Sequence, residues 1–138
     1  RSRLHEQEDI IGRTKVSCAP LSGGEEFTTP DFNMKGKNGP IIPDDSHMRL
    51  MHPNQNNGVQ MLRRGFNYTD GSDGLGHLDA ALFFIAFVCD PRTHFIPLLD
   101  TITQSDALSE YLKHTGSAVF AVPPGIKDEN DFIASGLF

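Results

Sequence analysis

The stretch from Leu78 to Cys89 constrains the fold more than any other part of the sequence. Leu82, Phe84, Ala86 and Val88 fall on one parity, and Phe83, Ile85, Phe87 and Cys89 on the other. Successive side chains of a strand point to opposite faces, so this segment reads as a strand apolar on both faces, the pattern of a central, covered strand. A chain of 138 residues supports one core. The expectation is therefore a single domain over residues 1–138, loop-rich over 1–60, with a strand–helix–strand core over 61–138.

The flanking segments set the class. Met61 to Tyr68 precedes the apolar strand as a second strand. Thr69 to Gly76 lies between them and reads as a hairpin turn; Asp70-Gly71-Ser72-Asp73-Gly74 lacks the glutamate that a calcium loop needs at its twelfth position. Ile96, Leu99, Ile102, Leu108, Tyr111 and Leu112 recur at helical spacing, which predicts one or two helices over Phe95 to Leu112, with Pro97 in the first turn. Ser117 to Val122 reads as a last strand and Asp128 to Leu137 as a short terminal helix. Strand, strand, helix, strand without regular βα alternation favours α+β, an antiparallel sheet with helices packed on it.

Upstream, Gly12 to Gly58 is dense in turn formers, including Gly23-Gly24, Gly39-Pro40 and Pro43-Asp44-Asp45. Within it, Asp45 to Met51 has the makings of one helical turn, capped by Asp45 or Ser46 and stopped by Pro53. That turn carries His47.

Charge and cysteine usage exclude several function classes. A net charge of −6 offers no basic footprint for nucleic acid or an anionic membrane surface. The two cysteines, Cys18 and Cys89, form neither a CxxC nor a zinc-spaced cluster. The longest apolar run, Ala80 to Cys89, is too short to span a bilayer. The opening Arg1-Ser2-Arg3-Leu4-His5-Glu6 has neither an initiator methionine nor a signal-peptide core, and reads as an internal start. Six histidines are present, none in an HExxH arrangement, and the sequence contains no GxSxG, P-loop or GxGxxG.

Five stretches occur in a telling order: Ile11-Gly12-Arg13-Thr14-Lys15, Pro30-Asp31-Phe32, Ser46-His47-Met48-Arg49-Leu50, Met61-Leu62-Arg63-Arg64-Gly65-Phe66-Asn67-Tyr68 and Leu78-Asp79-Ala80-Ala81-Leu82-Phe83-Phe84. Together they resemble the C-terminal half of dye-decolourising (DyP-type) haem peroxidases, closest to the branch with the deferrochelatase of bacterial iron-uptake systems. The match runs from about Glu6 to the end. The resemblance implies a ferredoxin-like half of a dimeric α+β barrel type peroxidase that binds haem b and uses hydrogen peroxide to oxidise dyes and other organic donors. A haem-binding, iron-releasing protein with little peroxidase turnover is the alternative.

Carried over position by position, the resemblance makes His47 of the HxR motif the haem iron ligand and the metal-binding residue, with His52 as fallback. It makes Arg63, or Arg64 one place on, the arginine facing the peroxide, and Leu82 and Phe84 the pair lining the same side of the haem. Arg49 becomes a candidate for a haem propionate. Glu110, with Asp106 second, becomes the carboxylate that orients His47. A metal-bound imidazole commonly donates its other N–H to such an acceptor, which fixes the tautomer. The family's GxxDG motif, whose aspartate handles protons, has no counterpart here, so the resemblance also implies a missing N-terminal half of the same protein as a partner. It leaves homo-oligomerisation open and implies an extracytoplasmic, periplasmic or secreted location.

Overall fold

The computed structural model describes residues 2–137. Helix α1 (Leu4–Ile11) opens the chain. The Glu6 carboxylate accepts the Arg3 N–H at 3.2 Å at its start, and Gly12 ends it in the left-handed region at φ +86°. Glycine is required at this position twice over. A Cβ there would sit 3.1 Å from Ser46 Oγ and 3.2 Å from Met48 Cβ, so the absent side chain also lets the end of α1 close on the turn that carries His47.

A two-residue hairpin, β1 (Lys35–Gly36) with β2 (Gly39–Pro40), and the short helix α2 (His47–Met51) follow. This turn-rich stretch has few ladder bonds, and side chains satisfy its backbone instead. The Arg13 guanidinium donates to the carbonyls of Cys18 and Glu26 at 2.5 and 2.8 Å, and the buried Ser46 hydroxyl donates to Pro43 O at 2.8 Å. Ala19, Pro20, Phe32, Ile42 and Ser46 are buried here and are joined from downstream by Leu98 and Asp106. The core of the described residues therefore lies around α2, inside the segment with the least regular structure.

Strands β3 (Leu62–Ser72) and β4 (Leu78–Phe87) pair antiparallel as the expected hairpin, and Asp73 caps its turn by accepting the Leu75 and His77 N–H groups. The two strands pack chiefly on each other. Phe66, Leu82, Phe83, Phe84 and Phe87 all stay substantially exposed. The strand itself matches the sequence pattern, whereas the expected cover on both faces is absent among the described residues.

Helix α3 (Pro91–Ser105) is capped by Asp90, which accepts the Arg92 N–H at 2.9 Å, with Pro91 at the first position. Because Asp90-Pro91 starts the helix earlier than expected, Pro97 falls inside it and not in its first turn. A 3₁₀ turn over Ala107–Tyr111 continues the helical segment. Ser117 to Val122 differs from expectation: it forms no ladder with any described strand. Its alternating pattern suits a strand, but a strand exists only where a neighbour offers its N–H and C=O groups. The terminal helix shortens to a 3₁₀ turn at Ser135–Leu137. Mixed helices and an antiparallel sheet make the chain α+β, as its element order indicates.

Candidate functional site: a buried carboxylate–histidine pair and the Arg63 face of the hairpin

His47 is the first residue of α2, with Ser46 preceding it as the cap residue. Its Nδ1 lies 2.6 Å from Asp106 Oδ2, across 59 positions of sequence. The Asp106 side chain is fully buried, while His47 keeps 23% of its side chain exposed. Asp106 spends its other oxygen as the cap of the 3₁₀ turn, Oδ1 accepting the Leu108 N–H at 2.9 Å. Beside it, Ala107 N–H donates to Asp45 O at 3.0 Å. One carboxylate thus ties the end of α3 to the His47 turn.

The pairing fixes a proton. A carboxylate accepts, so Nδ1 of His47 donates, and the neutral ring then carries its free lone pair on Nε2. His52 has the opposite arrangement. Its Nδ1 accepts the Asn54 N–H at 3.2 Å, which places the ring proton on Nε2 and leaves no lone pair there for a metal. Two further histidine–aspartate pairs, His5–Asp9 at 2.8 Å and His77–Asp73 at 2.7 Å, are local i,i+4 contacts with imidazoles 87% and 76% exposed. The His77 hydrogen bond holds the Asp73 carboxyl below the usual carboxylate range. Burial and sequence distance set the His47 pair apart.

The carboxylate against His47 is therefore Asp106, the second candidate; Glu110, the first, is exposed on the 3₁₀ turn. The reason lies in the turn's direction. Asp106 occupies the inward-facing cap position, and Glu110, four residues on, has been carried to the solvent side. Arg49 is also placed differently from a free propionate partner. Its guanidinium donates to Phe32 O and Ile42 O at 3.0 and 3.2 Å, pairs with Asp44 at 2.9 Å, and stands 5.6 Å from the centre of the Phe32 ring. These contacts make it a fastening of the His47 turn.

The register of the hairpin sorts the two arginines. Arg63 pairs with Ala86, Gly65 with Phe84 and Asn67 with Leu82, whereas Arg64 pairs with Ile85 and Phe66 with Phe83. Cross-strand partners share a face, so Arg63, Leu82 and Phe84 lie on one side and Arg64 on the other. Neither guanidinium has an ion-pair partner among the described residues. The structure thus brings His47 together with Asp106, and Arg63 together with Leu82 and Phe84. A shallow concavity of about 370 Å³ at the open end of the hairpin, lined by Leu62, Phe87, Cys89 and His94, includes none of these site residues.

The site thus joins a histidine whose Nε2 lone pair is free to a buried carboxylate, on an α+β chain whose hairpin places Arg63 on one apolar face. The family follows from sequence and shape together. Residues 1–127 match the C-terminal region of Dyp-type peroxidases, and the chain belongs to that family. A dye-decolorizing peroxidase of Thermobifida fusca is 41% identical over 85% of this chain and 28% of its own length. The deferrochelatase of Escherichia coli K12 is 37% identical over 99% of this chain and 32% of its own. Among solved structures, DtpA of Streptomyces lividans, described as an oxyferrous/water mixed complex, superposes with a TM-score of 0.90 at 39% identity, over 99% of this chain and 38% of that one. The chain spans about a third of the length of the relatives it matches.

Proposed function

We propose that these residues form the haem-ligating part of a peroxidase that uses hydrogen peroxide to oxidise dyes or other organic donors, with His47 as the residue that would hold the iron of haem b. The observation that carries this reading is the 2.6 Å contact between His47 Nδ1 and the buried Asp106. It leaves Nε2 unprotonated, and hydrogen bonding to a carboxylate raises the basicity of the ring as a ligand. When bound, haem supplies reduction of peroxide and oxidation of a donor. Asp106 holds the His47 ring in one tautomer and orientation. Arg63 brings a permanent, fork-shaped donor to the face it shares with Leu82 and Phe84, suited to an oxygen that gains negative charge. Leu82 and Phe84 give that face the apolar surface a flat macrocycle needs.

The proton-handling aspartate and the rest of the sheet belong, in this proposal, to a polypeptide segment outside these residues. Its support is the exposure of both hairpin faces and the unpaired Ser117–Val122 segment. An extracytoplasmic location is part of the same reading, carried by the resemblance to the iron-uptake branch alone.

A second reading, haem binding with iron release and little turnover, is favoured by the deferrochelatase that matches 99% of the chain. Haem-loaded protein given peroxide and a dye separates the two. Dye oxidation that disappears in Arg63→Ala is expected for a peroxidase. Release of iron with intact porphyrin and no dye oxidation would favour the alternative.

A further inference from the structure

We infer that Gly65 is a positioning residue: its missing side chain lets Leu82 lie flat across β3, and this sets the depth of the face beside Arg63. The inference rests on the proposed haem site and deepens it. Gly65 is not needed for its backbone, which lies outside the left-handed region, unlike Gly12. What it supplies is space. A Cβ at position 65 would come within 3.0 Å of Leu82 Cδ1, with Cγ and Cδ2 at 3.8 and 3.9 Å.

The register explains that approach. Gly65 is directly opposite Phe84, and Leu82 is opposite Asn67, so Leu82 reaches Gly65 along the diagonal of the same face. Between Arg63 and Asn67, β3 offers no side chain of its own to this face, and the isobutyl group of Leu82 fills the place. Leu82 is 53% exposed, so core contacts do not pin it and a neighbour can move it at little cost to folding. A side chain at 65 displaces Leu82 outward from β3 on the face that also carries Arg63, by a few tenths of an ångström for a methyl group and by more for a larger one. Gly65 and Leu82 together therefore govern how closely a planar ligand and a small peroxide approach Arg63.

The test compares the full chain with Gly65→Ala, Gly65→Val, Leu82→Ala and the Gly65→Val/Leu82→Ala double variant. Three readouts are taken: thermal unfolding without haem, Leu82 methyl shifts in the haem-free protein, and the rate of haem dissociation with its absorbance spectrum. Unfolding midpoints are expected to stay close to the parent, because the position is exposed. Haem dissociation is expected to quicken about 5- to 20-fold in Gly65→Val and less in Gly65→Ala, on the scale of a displaced rotamer. The double variant should return to within about twofold of Leu82→Ala, the sign that the two residues act through one contact. Parent-like haem dissociation in Gly65→Val, or a defect that survives Leu82→Ala, would overturn the inference while His47-dependent binding still stood. If haem binding proved independent of His47, the proposed site itself would fail. In that case an unmoved Leu82 methyl in Gly65→Ala would also remove the structural basis of the inference.

Discussion

The turn-rich region around α2 and the β3–β4 hairpin are built on opposite plans. The first has almost no ladder, yet it contains most of the buried residues and holds its backbone with Arg13, Ser46, Arg49 and Asp106 side chains. The second has a ladder along most of its length and leaves its phenylalanines open. Regular secondary structure and burial are thus separate properties in this chain. The interlocked turn gives the proposed ligand residue a fixed ring orientation, and the hairpin gives the proposed haem face its exposed apolar area.

Asp106 offers the sharpest way to break the contrast. Asp106→Ala removes two hydrogen bonds in a buried place and should cost about 2–4 kcal/mol of stability, with haem affinity lowered about 10- to 100-fold. Asp106→Asn is more telling. Its single carbonyl oxygen can accept from His47 Nδ1 or from Leu108 N–H, not both. It should therefore lose either the ligand tautomer or the cap, and denaturant unfolding read beside haem affinity will show which.

Arg49 and Arg63 divide along the same line. Arg49→Ala strips donors from Phe32 O and Ile42 O and should destabilise the chain by about 2 kcal/mol in urea unfolding. Arg63→Ala should shift stability by no more than about 0.5 kcal/mol, yet slow the reaction of haem-loaded protein with peroxide roughly 100-fold or more. Equal stability losses at both sites would erase the distinction between the two regions.

The smallest effect concerns α3. Hydrogen bonds from Arg92, first its side chain and then its backbone, hold the Asp90 carboxyl below the ordinary aspartate range. A depressed folded value stabilises the helix start above the unfolded value of about 3.9, and that contribution disappears as pH falls through the folded value. Helical signal from α3 should stay flat from neutral pH to about 4 and decline below it. Asp90→Asn should flatten that decline.

Much of this arrangement was legible in the sequence, and the remainder depended on geometry that sequence spacing does not carry. The hairpin follows from its two-faced pattern and Asp/Gly-rich turn, and the His47 turn lies between Ser46 and Pro53 as expected, although no side chain caps it and the Ser46 hydroxyl donates to Pro43 O instead. The α1 helix carries a weaker signal, Glu6 three residues after Arg3 and Gly12 at its end. Asp106 and Glu110 are both plausible acceptors by position. The clue favouring Asp106 is that aspartate is a preferred cap at the start of a helical turn, and a cap that faces inward can serve a second donor. Arg63 and Arg64 are inseparable as neighbours in sequence and separable only by register. The Ser117–Val122 segment shows the limit most plainly, since a strand pattern states what a segment can pair with and not whether a partner is there.

In the proposed site His47, oriented by Asp106, is the residue that binds haem iron. Haem titration followed by absorbance on the parent and His47→Gly, each with and without added imidazole, tests it most directly. A Soret band of a histidine-ligated haem is expected in the parent, lost in His47→Gly, and restored when imidazole fills the vacated place. An unchanged Soret band in His47→Gly without imidazole would contradict it.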